Sequence, residues 1–101
     1  MSDAPLEILV ARAAVRHLRK LAEADRRRVA TALEKEATRL SGSRAARGGK
    51  GIKRLRGRGD ALNRLRVGDF RVMYDVLNED GVLLVLGVVH RRDLERWLRG
   101  R

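Results

Sequence analysis

Residues 61–74 read Ala61-Leu62-Asn63-Arg64-Leu65-Arg66-Val67-Gly68-Asp69-Phe70-Arg71-Val72-Met73-Tyr74, and their pattern decides the fold. Apolar and polar side chains alternate on either side of Gly68-Asp69, the period of two that a half-buried strand requires. Gly-Asp between two such runs is tight-turn chemistry, so the stretch predicts a β-hairpin. Residues two apart on a strand share a face, so Arg64 and Arg66 point together, and Arg71 lies across the turn from Arg66. Guanidinium groups are costly to bury unless an anion meets them. The hairpin therefore reads as the floor of an anion-binding groove, with the rest of the chain as its support.

Downstream, the second strand continues through Val76 to Asn78. Asn78-Glu79-Asp80-Gly81 predicts another turn, its Asp-Gly suited to positive φ. Val82–Val89 is a continuous apolar, β-branched run, expected to be a central strand covered on both faces. Helical spacing returns over Arg91–Arg99, where Leu94, Trp97 and Leu98 are apolar. Upstream, Ser41–Gly59 is a Gly/Ser/Arg-rich loop. Its Gly48-Gly49-Lys50-Gly51 has the look of a phosphate loop. Arg44 stands where that motif needs its first glycine, Gly51 stands where it needs Ser or Thr, and no helix follows, so a nucleotide triphosphate site is rejected.

Before the loop, Leu6–Ala11 predicts a first strand after Pro5. Ala14, Val15, Leu18, Leu21 and Ala22 follow at helical spacing, a helix over Arg12–Ala22. His17 falls near its polar face and reads as a surface histidine. Asp25 is placed to cap a second helix with Val29, Leu33, Ala37 and Leu40 as its buried stripe and Gly42 as its end. So short a link makes the two helices an antiparallel hairpin. The element order is β-α-α-β-β-β-α. It predicts one α+β domain over residues 1–101, an antiparallel sheet with a helical hairpin packed on one face.

Charge is the strongest global signal. The 24 Lys+Arg against 13 Asp+Glu leave a formal net charge of +11. From Arg39 to Arg71 there are eleven basic residues and two acidic ones, so that third of the chain carries nine of the eleven net charges. A concentrated basic field implies a polyanionic partner. Lys50, Lys53, Arg54, Arg56, Arg58 and Arg66 are the candidates to gather its phosphates. There is no cysteine, which excludes disulfides and thiolate metal sites and fits a reducing cytoplasm. The N-terminus lacks a signal-peptide pattern and no apolar run is long enough to span a bilayer. No Ser-His-Asp set, metal-spaced His cluster or carboxylate pair appears. With one Phe, one Tyr and one Trp, a base-stacking platform is not expected either. A convergence of arginines remains, and it suits phosphodiester cleavage. That transition state concentrates negative charge on phosphorane oxygens, which fixed guanidinium groups stabilise.

Three blocks carry a resemblance. Lys53-Arg54-Leu55-Arg56-Gly57, then Arg64-Leu65-Arg66-Val67-Gly68-Asp69-Phe70-Arg71-Val72-Met73-Tyr74, then Val89-His90-Arg91-Arg92-Asp93 are similar to the RelE/ParE superfamily of toxin–antitoxin toxins. The helix pair, with Leu18-Arg19-Lys20-Leu21, is similar too, and the likeness runs from Leu6 to Trp97. RelE-like members are metal-independent, ribosome-dependent endoribonucleases that cut mRNA in the decoding site and need no cofactor. ParE-like members share the fold and poison DNA gyrase. Both imply a cognate acidic antitoxin, RelB-like for the first, in a hetero-oligomer.

The resemblance implies roles at matching positions. Arg64 stands where RelE-like toxins place a lysine that helps activate the ribose 2′-hydroxyl. Arg66 is a basic position of the same strand. Arg71 stands where an arginine stabilises the cleaved phosphate, and Arg91 where one serves the leaving 5′-oxygen. Two positions depart from the pattern. Leu62 replaces a second lysine, and the tyrosine expected near Glu95 is absent. Arginine stays protonated and makes a poor base, so the proton is expected to pass to His90, or else to Glu95. The leading expectation is an mRNA interferase acting by 2′-hydroxyl attack on the adjacent phosphate. The alternatives are a gyrase poison or an inactive RNA- or antitoxin-binding module.

Overall fold

A computed structural model describes residues 4–47 and 62–100. In chain order the elements are β1 (Glu7–Val10), α1 (Arg12–Arg19), α2 (Glu23–Arg47), β2 (Asn63–Val67), β3 (Phe70–Leu77), β4 (Val82–His90) and α3 (Leu94–Arg99). Single 3₁₀ turns at Asn78–Asp80 and Arg91–Asp93 flank β4. The predicted α+β order holds.

The strands lie in the order β1-β4-β3-β2. β2, β3 and β4 form the expected antiparallel meander, and β1 joins β4 in parallel, which makes the sheet mixed. Val67 pairs with Phe70 across Gly68-Asp69, and Gly68 alone in that turn has positive φ, 59°. A two-residue turn with glycine first and φ positive only there is the type II′ geometry that matches strand twist. Gly81 takes the left-handed conformation that closes the turn into β4.

The core lies between one sheet face and the two helices. Leu65, Val67, Phe70, Val72, Tyr74, Val76, Leu83, Val85 and Val88 meet Ala14, Val29, Leu33 and Ala37 there. The run Val82–Val89 is central, as expected, with Leu83 and Val85 fully buried. One irregularity falls within it. Met73 pairs with Gly87 while Tyr74 pairs with Val85, so Leu86 is an extra residue on β4. Such a bulge reverses the alternation beyond it. Val88 and His90 therefore join the helix side, and Gly87 and Val89 the other.

Several local expectations need correction. α1 ends at Arg19, with Lys20 as its C-cap, rather than at Ala22. Asp25 does not cap α2. The Arg26 N–H already bonds the Ala22 carbonyl, so Asp25 sits with Glu23 inside the first turn, where carboxylates meet the positive end of the helix dipole. Gly42 does not end α2, whose backbone stays helical to Arg47. An internal glycine costs a helix only about 1 kcal/mol, and Arg44, Ala45, Ala46 and Arg47 are good helix formers. The predicted loop from Ser41 is thus helical to Arg47, and its remainder, 48–59, lies outside the described residues. Among the described residues no helix is long and apolar enough to cross a membrane.

His17 is not a bare surface histidine. Beyond β1 one edge of β4 loses its strand partner, and the His17 Nδ1 accepts the Val88 N–H there at 3.1 Å. Burial, then the positive charges of Lys20 and Arg16, hold this imidazole below its ordinary pKa of 6.5. The unfolded chain takes up the proton more readily, so this stabilisation is present above about pH 6.5 and is lost as pH falls below it. Thermal melts from pH 8 to 5 should show wild type losing stability on the acid side. His17→Gln, which can still accept the bond but does not titrate, should show less of that loss. Parallel profiles would contradict the assignment.

Candidate phosphate-binding face

The sheet face away from the helix pair carries the arginines. Register puts Arg64 opposite Met73 and Arg66 directly opposite Arg71, which is itself opposite Val89. The three predicted arginines therefore share one face. Arg64 and Arg66 are exposed and Arg71 is half-buried. Like charges directly opposite on neighbouring strands destabilise a sheet, by roughly 0.2–1 kcal/mol. An Arg–Arg cross-strand pair is thus a stability cost that a bound anion would relieve. Arg66→Thr should raise the melting temperature by a few degrees, about what 0.5 kcal/mol gives a domain this size. A melting temperature that falls would count against this reading of the pair.

The Gly68-Asp69 turn organises two of these side chains. Arg71 folds back on it, one guanidinium nitrogen donating to the carbonyls of Gly68 (3.1 Å) and Phe70 (2.9 Å). Arg91, just past β4, donates its backbone N–H to the Asp69 carbonyl at 2.7 Å. Its Nε lies 3.7 Å from the Asp69 carboxylate. Backbone carbonyls fix the Arg71 guanidinium without cancelling its charge. The Asp69 contact with Arg91 is exposed on both sides and weak.

His90 sits apart from this set. The bulge turns His90 to the helix side, opposite Phe70, with ring centroids 5.7 Å apart in an edge-on contact. Its Nδ1 accepts the Arg92 N–H at 3.2 Å, capping the 3₁₀ turn. With Nδ1 so engaged, neutral His90 carries its proton on Nε2. Glu95 is exposed on α3. α3 lies against the arginine side. A Cβ built on Gly87 would stand 2.8 Å from the Trp97 indole, and the paired Met73 is fully buried although it lies on the side away from the helical hairpin. Glycine at 87 thus permits the close approach of the indole. Lys50, Lys53, Arg54, Arg56 and Arg58 lie outside the described residues. Among the described residues no group of three or more His, Asp or Glu could hold a metal ion.

Beneath the face is a network that the apolar pattern concealed. Tyr74 is buried in the core, and its hydroxyl donates to Glu36 on α2 at 2.5 Å. Glu36 is 9 % exposed and accepts two further bonds from Arg39, at 3.1 and 2.6 Å. Those bonds, with the Tyr74 hydroxyl, hold its carboxyl below the ordinary value against the opposing effect of burial. The legible signal was a glutamate one residue before Ala37, on the same stripe as Val29, Leu33 and Leu40.

A family profile, "ParE toxin of type II toxin-antitoxin system, parDE", matches residues 8–95. The chain belongs to this toxin family. Solved structures agree on the fold of this ParE-family toxin. The RelBE2 toxin–antitoxin complex of Mycobacterium tuberculosis is similar over 87% of this chain and 100% of that one, at 23% identity and TM-score 0.62. The RelE–RelB complex of Pyrococcus horikoshii OT3 is 28% identical over 87% of this chain and 97% of that one, with TM-score 0.57. A free-state Escherichia coli RelE variant carrying two arginine-to-alanine changes covers 93% of this chain and 92% of that one, at 23% identity and TM-score 0.57. A search of curated proteins gives no significant match. The toxin has the RelE/ParE fold.

Proposed function

We propose that this toxin is a ribosome-dependent mRNA endoribonuclease. The observation that carries the reading is the Arg66–Arg71 cross-strand pair, on one face with Arg64 and tied through the turn to Arg91. The 2′-oxygen attacks the adjacent phosphorus, the P–O5′ bond breaks, and a 2′,3′-cyclic phosphate and a 5′-hydroxyl result. Arg64 and Arg71 stabilise the phosphorane oxygens, and Arg91 stabilises the leaving 5′-oxyanion until water protonates it. Glu95 takes the 2′-hydroxyl proton. The Arg92 N–H bond to the His90 Nδ1 favours Glu95 over His90 in this role. So sparse a site depends on the ribosome to position the message.

The relatives crystallised with RelB point to an antitoxin of that kind as partner. The net charge of +11 favours an acidic one that covers the basic face. The ParE description of the matching profile favours a second reading, a gyrase poison that hydrolyses nothing. Induction in growing bacteria, followed by primer extension on ribosome-bound mRNA, separates the two. Cuts within translated codons are expected. Intact messages during growth arrest would overturn the nuclease reading and direct the work to a supercoiling assay.

A further inference from the structure

Arg28 was not among the residues singled out by sequence, yet α2 carries it to the tip of the arginine hairpin. Its Nη1 stands 3.6 Å from where a Cβ on Gly68 would be. The tip is thus approached from three elements: Arg28 from α2, Arg71 from β3, and Arg91 from the turn after β4. The carboxylates nearby do not satisfy these cations. Asp25 is 3.7 Å from Arg28 and Asp69 is 3.7 Å from Arg91, both beyond hydrogen-bond length. Arg28 remains 64% exposed. Each guanidinium offers five N–H donors in a fork that fits phosphate oxygens. Among the described residues, the hydrogen bonds these three forks make to protein are the two from one Arg71 nitrogen.

We propose that Arg28, standing at the Gly68-Asp69 tip beside the catalytic Arg71 and Arg91, is a second phosphate-binding point that holds the RNA backbone next to the phosphate being cleaved. The inference rests on the reading of the partner as RNA. Its geometry is continuous with the catalytic face, because Arg71 is both the cross-strand partner of Arg66 and bonded to the Gly68 carbonyl. A strand following the arginine face therefore passes over the tip and meets Arg28. Gly68 serves twice here. Its positive φ makes the turn, and its missing side chain leaves the approach open.

The test uses the toxin chain freed of antitoxin and a fluorescent, uncleavable 2′-O-methyl RNA oligonucleotide, with binding followed by anisotropy across a salt series. Arg28→Ala should weaken binding several-fold and lower the salt slope by about 0.7, one phosphate contact on a single strand. Arg28→Lys should keep the slope and recover most of the affinity. Arg27→Ala removes the same charge one residue away, from a side chain engaged with Glu23, and should change the slope little. Melting curves of all three should match wild type. Equal effects of Arg28→Ala and Arg27→Ala would reduce the site to net charge and overturn the proposal, as would an unchanged slope in Arg28→Ala. Polyglutamate binding with the Arg28 contrast while RNA fails to bind would overturn it too, in favour of an acidic protein partner. A wild-type toxin that binds RNA with this contrast but never cuts a message would sink the nuclease reading alone.

Discussion

Arg71→Ala should abolish growth arrest and lower single-turnover cleavage of ribosome-bound mRNA by about 10²–10³-fold, the loss typical of one donor to a transition-state oxyanion. The fold should survive. The side chain also donates to the carbonyls of Gly68 and Phe70, but the first is exposed at the turn and the second only partly buried beside it, so water can replace it. That loss is on the order of 1 kcal/mol and about 4–8 °C in melting temperature. Arg71→Lys keeps the charge without the planar fork and should recover only part of the activity. The measurement is cleavage rate beside a melting curve. Full toxicity in a folded Arg71→Ala variant would remove this residue from the mechanism.

The second large effect is on stability. Glu36→Ala strips the buried Tyr74 hydroxyl of its acceptor and releases Arg39. An unsatisfied buried polar group costs about 1–3 kcal/mol, and the lost charge-assisted bonds add to it. A fall of roughly 10–20 °C in melting temperature is expected for a domain this size. Tyr74→Phe leaves the Glu36–Arg39 pair in place and should cost about 1 kcal/mol, and the double variant should be strongly non-additive. The pH dependence has a definite sign. Bonds from Arg39, and then from Tyr74, hold the Glu36 carboxyl below its ordinary 4.5. The unfolded chain is therefore protonated first, and the stabilisation present above about pH 4.5 is lost as pH falls below it. Wild type should show that acid limb and Glu36→Ala should lack it. A Glu36→Ala variant melting within a few degrees of wild type would contradict the network's role.

The hairpin was legible because apolar residues alternate with arginine through Arg64–Val67 and Phe70–Val72, on either side of Gly68-Asp69. From it the shared face of Arg64, Arg66 and Arg71 followed, and the structure reproduces it. The position of His90 was not legible. Val82–Val89 is apolar throughout, so it carries no parity, and the extra residue at Leu86 that turns His90 away from the arginines leaves no mark in sequence. His17 and Arg28 were obscured for another reason. Their partners, the Val88 N–H and the Gly68 turn, are distant in the chain and are brought close only by tertiary packing. Gly42 shows local propensity outweighed by the helix formers around it. Glu36 broke the apolar stripe of α2, a signal that became meaningful once Tyr74 was known to face it.

The central claim is that an arginine face, with no resident metal, cuts mRNA when the ribosome presents it. Purified toxin should be mixed with ribosomes carrying a defined message and an empty decoding site, and the RNA ends then mapped and chemically typed. Cleavage within the decoding-site codon is predicted, in the presence of chelator, leaving a 2′,3′-cyclic phosphate and a 5′-hydroxyl. The same message without ribosomes should be cut far more slowly. An intact message on wild-type ribosomes, with DNA gyrase supercoiling inhibited by the same preparation, would contradict the account and make this chain a gyrase poison on a shared fold.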